Sequence, residues 1–180
     1  MLKRLPILFL FIAAVLPAQT QLGTFANGIY HHNLTGIEFA VPAEWTIASQ
    51  GPSSEQSAQV IKLRDAVSNA IGTVWLKSRI AAPADIQALM SERLDVKATQ
   101  RNNFEGYKYR ADSVRNTTIG GRPALSAVAD YVSHGQKMVE YLTWVDGEKS
   151  RIVFAGRVPA SELADFQMRF DPVIQSAIVP

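Results

Sequence analysis

The sequence predicts an α+β domain, a mostly antiparallel β-sheet with helices packed on its faces. Two observations carry this. Apolar residues alternate with a period of two through most of the chain, and helical spacing takes over in two places, one central and one C-terminal.

In the first strand signal, Ile37, Phe39 and Val41 alternate with Glu38 and Ala40. Asn33, Leu34, Thr35 and Gly36 before them suit a turn, with Ile29 and Tyr30 as a strand on its other side. Residues 60–63 and 71–80 are two further strands. Residues 49–57 are rich in Ser, Gln, Gly and Pro and read as a surface loop. The spacing then predicts strands over 125–132, 138–145 and 151–155, joined as a three-stranded meander. Asp146-Gly147 is a primed-turn signal between the last two, and His134-Gly135 separates the first two. Gly120-Gly121 marks a turn into the meander from a strand over 113–119.

One helix is expected to open at Pro83, with Ile86, Leu89, Met90 and Leu94 on its buried face. Asp85 and Lys97 suit the two ends of its dipole. A second helix starts at Pro159, with Leu163, Phe166 and Phe170 on one face. Asp171-Pro172 is expected to interrupt it, leaving residues 173–178 as a last turn or two.

The N-terminus has the order of a secretory signal peptide. Lys3 and Arg4 precede an apolar run over 5–16, and Pro17-Ala18 leads into polar Gln19, Thr20 and Gln21. Residues 5–18 fall short of the roughly 20 that span a bilayer. The expected organisation is a signal peptide over 1–18, a short lead over 19–27 and one domain over 28–180. The chain has no Cys, so neither a disulfide nor a cysteine-linked lipid is available to it. These features predict a periplasmic or secreted protein with no stable membrane anchor after cleavage. Lys3 and Arg4 account for the net charge of +2, so the remainder is formally neutral. A neutral domain has little general attraction for nucleic acid. Sequons at Asn33 and Asn116 read first as turn residues.

Three stretches resemble a known family. Gly36, Phe39, Val41, Pro42 and Trp45 form the first, and residues 118–124 with their Gly120-Gly121-Arg122-Pro123 the second. Phe170, Asp171, Pro172, Val173, Ile174 and Ser176 close the chain. In this order they resemble the PsbP-like superfamily, which takes in PsbP, Mog-type factors and small exported bacterial proteins. The resemblance implies an α/β/α sandwich around an antiparallel sheet. It implies an assembly factor, accessory subunit or binding protein rather than an enzyme, and it brings no catalytic residues with it.

The residues themselves offer little chemistry. His31 and His32 invite a metal site with Glu38, but neighbours on a strand point to opposite faces, and His134 is far off in sequence. Ser126, Asp130 and His134 suggest a triad at even spacing, yet alternate strand residues sit about 7 Å apart, too far for direct hydrogen bonds. Glu38, Asp130 and Glu140 read as carboxylates on the wet side of the sheet. Trp45, Trp75, Tyr131, Tyr141 and Trp144 read as core or groove aromatics. Tyr107, Lys108, Tyr109 and Arg110 read as an edge strand with snorkelling cations.

The expectation is therefore an exported accessory or binding protein with no catalytic, cofactor-binding or metal-binding residues and no cofactor. Its partner is an envelope protein or a small ligand. The candidate interaction surface is Phe104, Tyr107 and Tyr109, which are costly to expose without a use. A hydrolase with an unrecognised site and a purely structural envelope component are the alternatives.

Overall fold

The computed structural model describes residues 22–52, 59–78, 86–100 and 103–180. The signal-peptide expectation, the helix start at Pro83 and Asp85, and the end of the strand over 71–80 lie outside them.

Three short strands, β1 (Gly23–Ala26), β2 (Ile29–His32) and β3 (Glu38–Ala40), form a small antiparallel sheet. The large sheet holds β4 (Trp45–Pro52), β5 (Gln59–Asp65), β6 (Ile71–Ser78), β7 (Glu105–Tyr109), β8 (Arg115–Ile119), β9 (Arg122–Ser133), β10 (Gln136–Asp146) and β11 (Ser150–Pro159). Its order is β4-β5-β6-β11-β10-β9-β7, with β8 also pairing directly with β9, along the N-terminal part of that strand. Among the described residues its α-helices are α1 (Ile86–Ala98) and α2 (Leu163–Gln175).

The expected meander is present as β9, β10 and β11, in antiparallel register. Its first turn is the primed one. His134 and Gly135 take φ of 50° and 78°, the pair of positive values such a turn needs. The expectation for Asp146-Gly147 is corrected: β10 ends at Asp146, β11 starts only at Ser150, and Gly147 is not among the positive-φ glycines. Close approach explains the glycine instead. A Cβ at Gly147 would lie 2.5 Å from Val179 Cγ1 and 2.6 Å from the Pro180 carbonyl oxygen. The C-terminal tail crosses this loop, and the Glu148 amide donates to that same oxygen at 3.1 Å.

Two other expectations change. Residues 49–52, read as loop, continue β4 and pair with Lys62, Ile61, Val60 and Gln59. An edge strand is paired on one side only, so polar residues and a proline fit there without breaking a ladder. Pro172 does not interrupt the second helix, which runs through it to Gln175. Proline removes the bond to the Met168 carbonyl. Met168 and Pro172 both face solvent, so water can serve that group.

Alternation along the strands gives the sheet two different faces. Val139, Tyr141 and Val145 of β10 join Phe39, Trp45, Phe154, Phe166 and Phe170 in the larger core, under α2. Leu142 and Trp144 join Leu89 of α1, with Leu125, Ala127, Val153 and Ala155, in a smaller one. The α2 face is packed by aromatic rings seated on glycine. Gly72 and Gly156 are register partners on β6 and β11, and a Cβ at either would collide with Phe170 or Phe166. Trp45 is buried against both rings, and its Nε1 donates to the Arg169 carbonyl at 3.1 Å.

Candidate binding site beneath α1

The α1 face buries a charged cluster beside its apolar residues. Glu140 stands in the middle of β10, in register with Ala129 of β9 and Arg157 of β11. It is 0% exposed, which overturns its reading as a carboxylate on the wet side. Isolated burial of a carboxylate costs several kcal/mol, so it must be paired. Arg93 and Lys97, one turn apart on α1, and Arg157 all reach it. Arg93 Nη2 donates to Oε1 at 2.5 Å and its Nε to Oε2 at 3.2 Å. Arg157 Nε donates to Oε1 at 2.7 Å, and Lys97 Nζ lies 3.4 Å from the same oxygen. The Tyr107 hydroxyl, from β7, donates to Oε2 at 2.6 Å.

This arrangement also sets the orientation of α1. The expected stripe of Ile86, Leu89, Met90 and Leu94 is only partly right. Leu89 is buried, but Leu94 is 40% exposed while Lys97 is 3% exposed. The helix presents cations to a carboxylate, which a purely apolar count does not register.

Aromatic rings wall the cluster. Lys97 Nζ sits 3.6 Å from the Phe104 ring centre, and the Arg157 guanidinium 4.9 Å from it. Arg93 lies over Trp75 at 5.3 Å. Phe104 and Tyr107 pack on Tyr131 with centroids 4.9 and 6.0 Å apart. The sequence-predicted surface is thus part of this cluster: Phe104 is buried, and Tyr107 and Tyr109 are half-buried. The Tyr109 hydroxyl is buried with no hydrogen-bond partner among the described residues. Lys108 points to solvent, and Arg110 pairs with Asp130.

Burial would raise the Glu140 carboxyl, but Arg93, Arg157 and Lys97 hold it well below the usual range. Burial, reinforced by the like charges of Arg93 and Arg157, lowers the Lys97 amine to about 7, against the opposing pull of Glu140. Burial and the Glu140 charge push the Tyr107 hydroxyl up. Beside the cluster opens a depression of about 490 Å³, lined by Leu94, Asp95, Lys97, Phe104, Glu105 and Tyr107.

The residues considered for catalysis are not brought together. Ser126 and Thr143 share a hydrogen bond of 2.9 Å. Asp130 is held by two bonds from Arg110, at 2.9 and 2.7 Å. His134 sits in the β9–β10 turn against Ser133. Ser126 does line a second groove, about 430 Å³, on the α2 face with Tyr141, Asp171, Gln167 and Arg110. There the Tyr141 hydroxyl donates to Asp171 at 2.8 Å. His31 pairs with Glu38 at 2.9 Å near the surface, while His32 is buried against Thr35 and Gln59. Among the described residues no group of three or more His, Asp or Glu side chains is placed to hold a metal ion.

Sequence reasoning missed Glu140 as the centre of the site. The available signal was an acid inside the run Met138-Val139-Glu140-Tyr141-Leu142, together with Arg93 and Lys97 at helical spacing.

No protein-family model and no curated protein matches the chain. Solved structures do. The solution structure of cyanobacterial PsbP (CyanoP) from Synechocystis sp. PCC 6803 is similar at 13% identity with a TM-score of 0.59, over 84% of this chain and 91% of that one. LpqN of Mycobacterium tuberculosis, described as involved in cell envelope biogenesis, is similar at 17% identity with a TM-score of 0.51, over 80% and 83%. The chain therefore has a PsbP-like fold. No helix among the described residues is long and apolar enough to cross a membrane.

Proposed function

We propose that this is an exported, non-catalytic accessory protein with the α/β/α arrangement of PsbP-like proteins. It binds an envelope protein or a small ligand at the depression between α1 and β7. The observation that supports this reading is the pairing of an aromatic-walled depression with three cations that converge on one buried carboxylate. Such a cluster is costly to assemble, and it lies beside an opening rather than under the main core. Separation of Ser126, Asp130 and His134 by their own local partners supports the non-catalytic part. The order of Lys3, Arg4, the apolar run and Ala18 supports export, with 1–18 removed and 28–180 as the domain core.

The test uses the processed chain and a rim variant, Leu94→Arg, whose exposed side chain makes a folding defect avoidable. Each is used to capture partners from an envelope extract of the source cell, read by mass spectrometry. A protein retained by the natural chain and lost with Leu94→Arg supports the assignment. Capture indifferent to Leu94 overturns the site. Turnover in a panel of ester, peptide, phosphate and glycoside substrates that disappears on replacing Ser126, Asp130 or His134 overturns the non-catalytic reading. Intact mass retaining residues 1–18 overturns export by cleavage.

A further inference from the structure

We propose that Lys97 is a reactive amine, and that the α1–β7 depression captures a small neutral carbonyl compound by reversible condensation with it. This rests on the depression being the binding site and adds the chemistry of its ligand.

Charge singles out Lys97 within the cluster. Arg93, Lys97 and Arg157 converge on one carboxylate, so the cluster holds two positive charges in excess when all are protonated. Arginine does not release its proton in proteins, and lysine does when buried. The charged and titratable groups around Lys97 are Arg93 and Asp95 on α1, Glu105 and Tyr107 on β7, Glu140 on β10 and Arg157 on β11. Of these, only Glu140 contacts the amine directly as an acid, and it is already bonded by two arginines and a tyrosine. Lys97 is therefore the member that relaxes the excess, consistent with its lowered pKa of about 7. About half of such amines are neutral at pH 7, against roughly one in a few thousand for a solvated lysine. A neutral amine is a nucleophile.

The walls select the electrophile. Asp95 and Glu105 at the rim repel anions, while Leu94, Phe104 and Tyr107 favour an apolar or aromatic body. A neutral aldehyde with a small apolar substituent meets both conditions. The Nζ lone pair forms the C–N bond, and the carbonyl π pair moves to oxygen, which takes a proton lost from nitrogen. The carbinolamine then sheds its hydroxyl with the second N–H proton as water, leaving an imine. One water is released and nothing is oxidised or reduced.

The test traps the imine formed with benzaldehyde using sodium cyanoborohydride, on the processed chain, with the adduct located by peptide mass spectrometry. At pH 7, Lys97 should carry about ten-fold more adduct than Lys62, Lys77, Lys108, Lys137 or Lys149. Its labelling should reach half-maximum near pH 7. Arg157→Gln removes a like charge at a half-exposed position, so it should move the Lys97 midpoint upward and reduce labelling at pH 7. Lys97→Met should abolish the pH 7 adduct alone. Adduct spread over the exposed lysines with Lys97 spared overturns the proposal, as does a Lys97 midpoint near 10. In either case partner capture sensitive to Leu94 would stand unaffected, so the two readings fail separately.

Discussion

Among the described residues, each face of the sheet buries one acid, and the two are treated differently. At the end of β5, Asp65 is fully buried under α2. It accepts from Arg169 Nε at 2.7 Å, from the Val67 amide at 2.9 Å and from the Ser68 hydroxyl at 2.6 Å. One cation meets one anion, and neutral turn donors fill the remaining lone pairs. Burial opposes the charge there, but these partners outweigh it and lower the Asp65 pKa. Under α1, Glu140 draws three cations and one hydroxyl. Asp65 has what stability needs: a matched pair that ties α2 to the sheet. Glu140 has more than stability needs, and the surplus borders an opening. Charge balance thus distinguishes the two acids.

The largest effect is expected from Glu140→Gln. It leaves Arg93, Lys97 and the half-exposed Arg157 without their anion, and breaking a buried pair by removing one partner costs about 3–5 kcal/mol. The upper part of that range is expected, read as a shift in urea midpoint at pH 7. If the variant is as stable as the natural chain, the cations are not confined by Glu140 and the contrast between the two faces collapses.

On the other face the counterpart is Trp45→Ala. The indole fills the space beside Phe166 and Phe170, and its loss should cost about 3–4 kcal/mol through the cavity left behind. Chemical denaturation measures it. An unchanged midpoint would mean that the aromatic core under α2 does not depend on this ring.

The two faces also differ in how well the sequence announced them. Packing of the α2 side was legible because it is made from local signals: the 37–41 alternation, Trp45, and the Leu163, Phe166 and Phe170 spacing. The meander was legible for the same reason, and His134-Gly135 supplied its primed turn. Glu140 was not, because its burial depends on Arg93, 47 residues away, and period-two reasoning cannot tell a wet face from one covered by a cationic helix. Residues 49–52 failed similarly. An edge strand there is held by β5, whatever its own composition. Gly147 looked like turn chemistry but answers to the C-terminal tail, a contact invisible at the level of neighbouring residues.

Gly147→Val tests that last point at smaller magnitude. The new side chain would meet Val179 and the Pro180 carbonyl, so the tail must shift, at a cost of about 2 kcal/mol. Thermal unfolding reads the loss. Deleting Val179 and Pro180 in the same chain should remove most of the additional penalty, since the clash then has no partner. A penalty that persists unchanged in the shortened chain would return the glycine to a turn role.

The smallest effect, and the one that most directly separates surplus charge from structural charge, is Lys97→Met. A methionine has nearly the length of the lysine stem and can lie against Phe104, while the excess cation disappears. Lysine in the unfolded chain titrates near 10.5, and in the folded chain near 7. Between those values the unfolded state binds more protons, so the Lys97 contribution to stability rises with pH from about 7 towards 10 and is at its most unfavourable below 7. The variant should therefore be more stable than the natural chain by about 1 kcal/mol at pH 7, because part of the gain is offset by the lost contact with Glu140. The difference should shrink as pH approaches 10. Above pH 10 both chains should weaken together, since burial raises the pKa of Tyr107, Tyr109, Tyr131 and Tyr141 and the unfolded state releases their protons first. Urea midpoints at pH 6, 7, 8 and 9.5 would show the convergence. A variant that is less stable than the natural chain at pH 7, with a gap that does not change with pH, would make Lys97 a structural partner of Glu140 like Arg169 of Asp65, and the two faces would be alike after all.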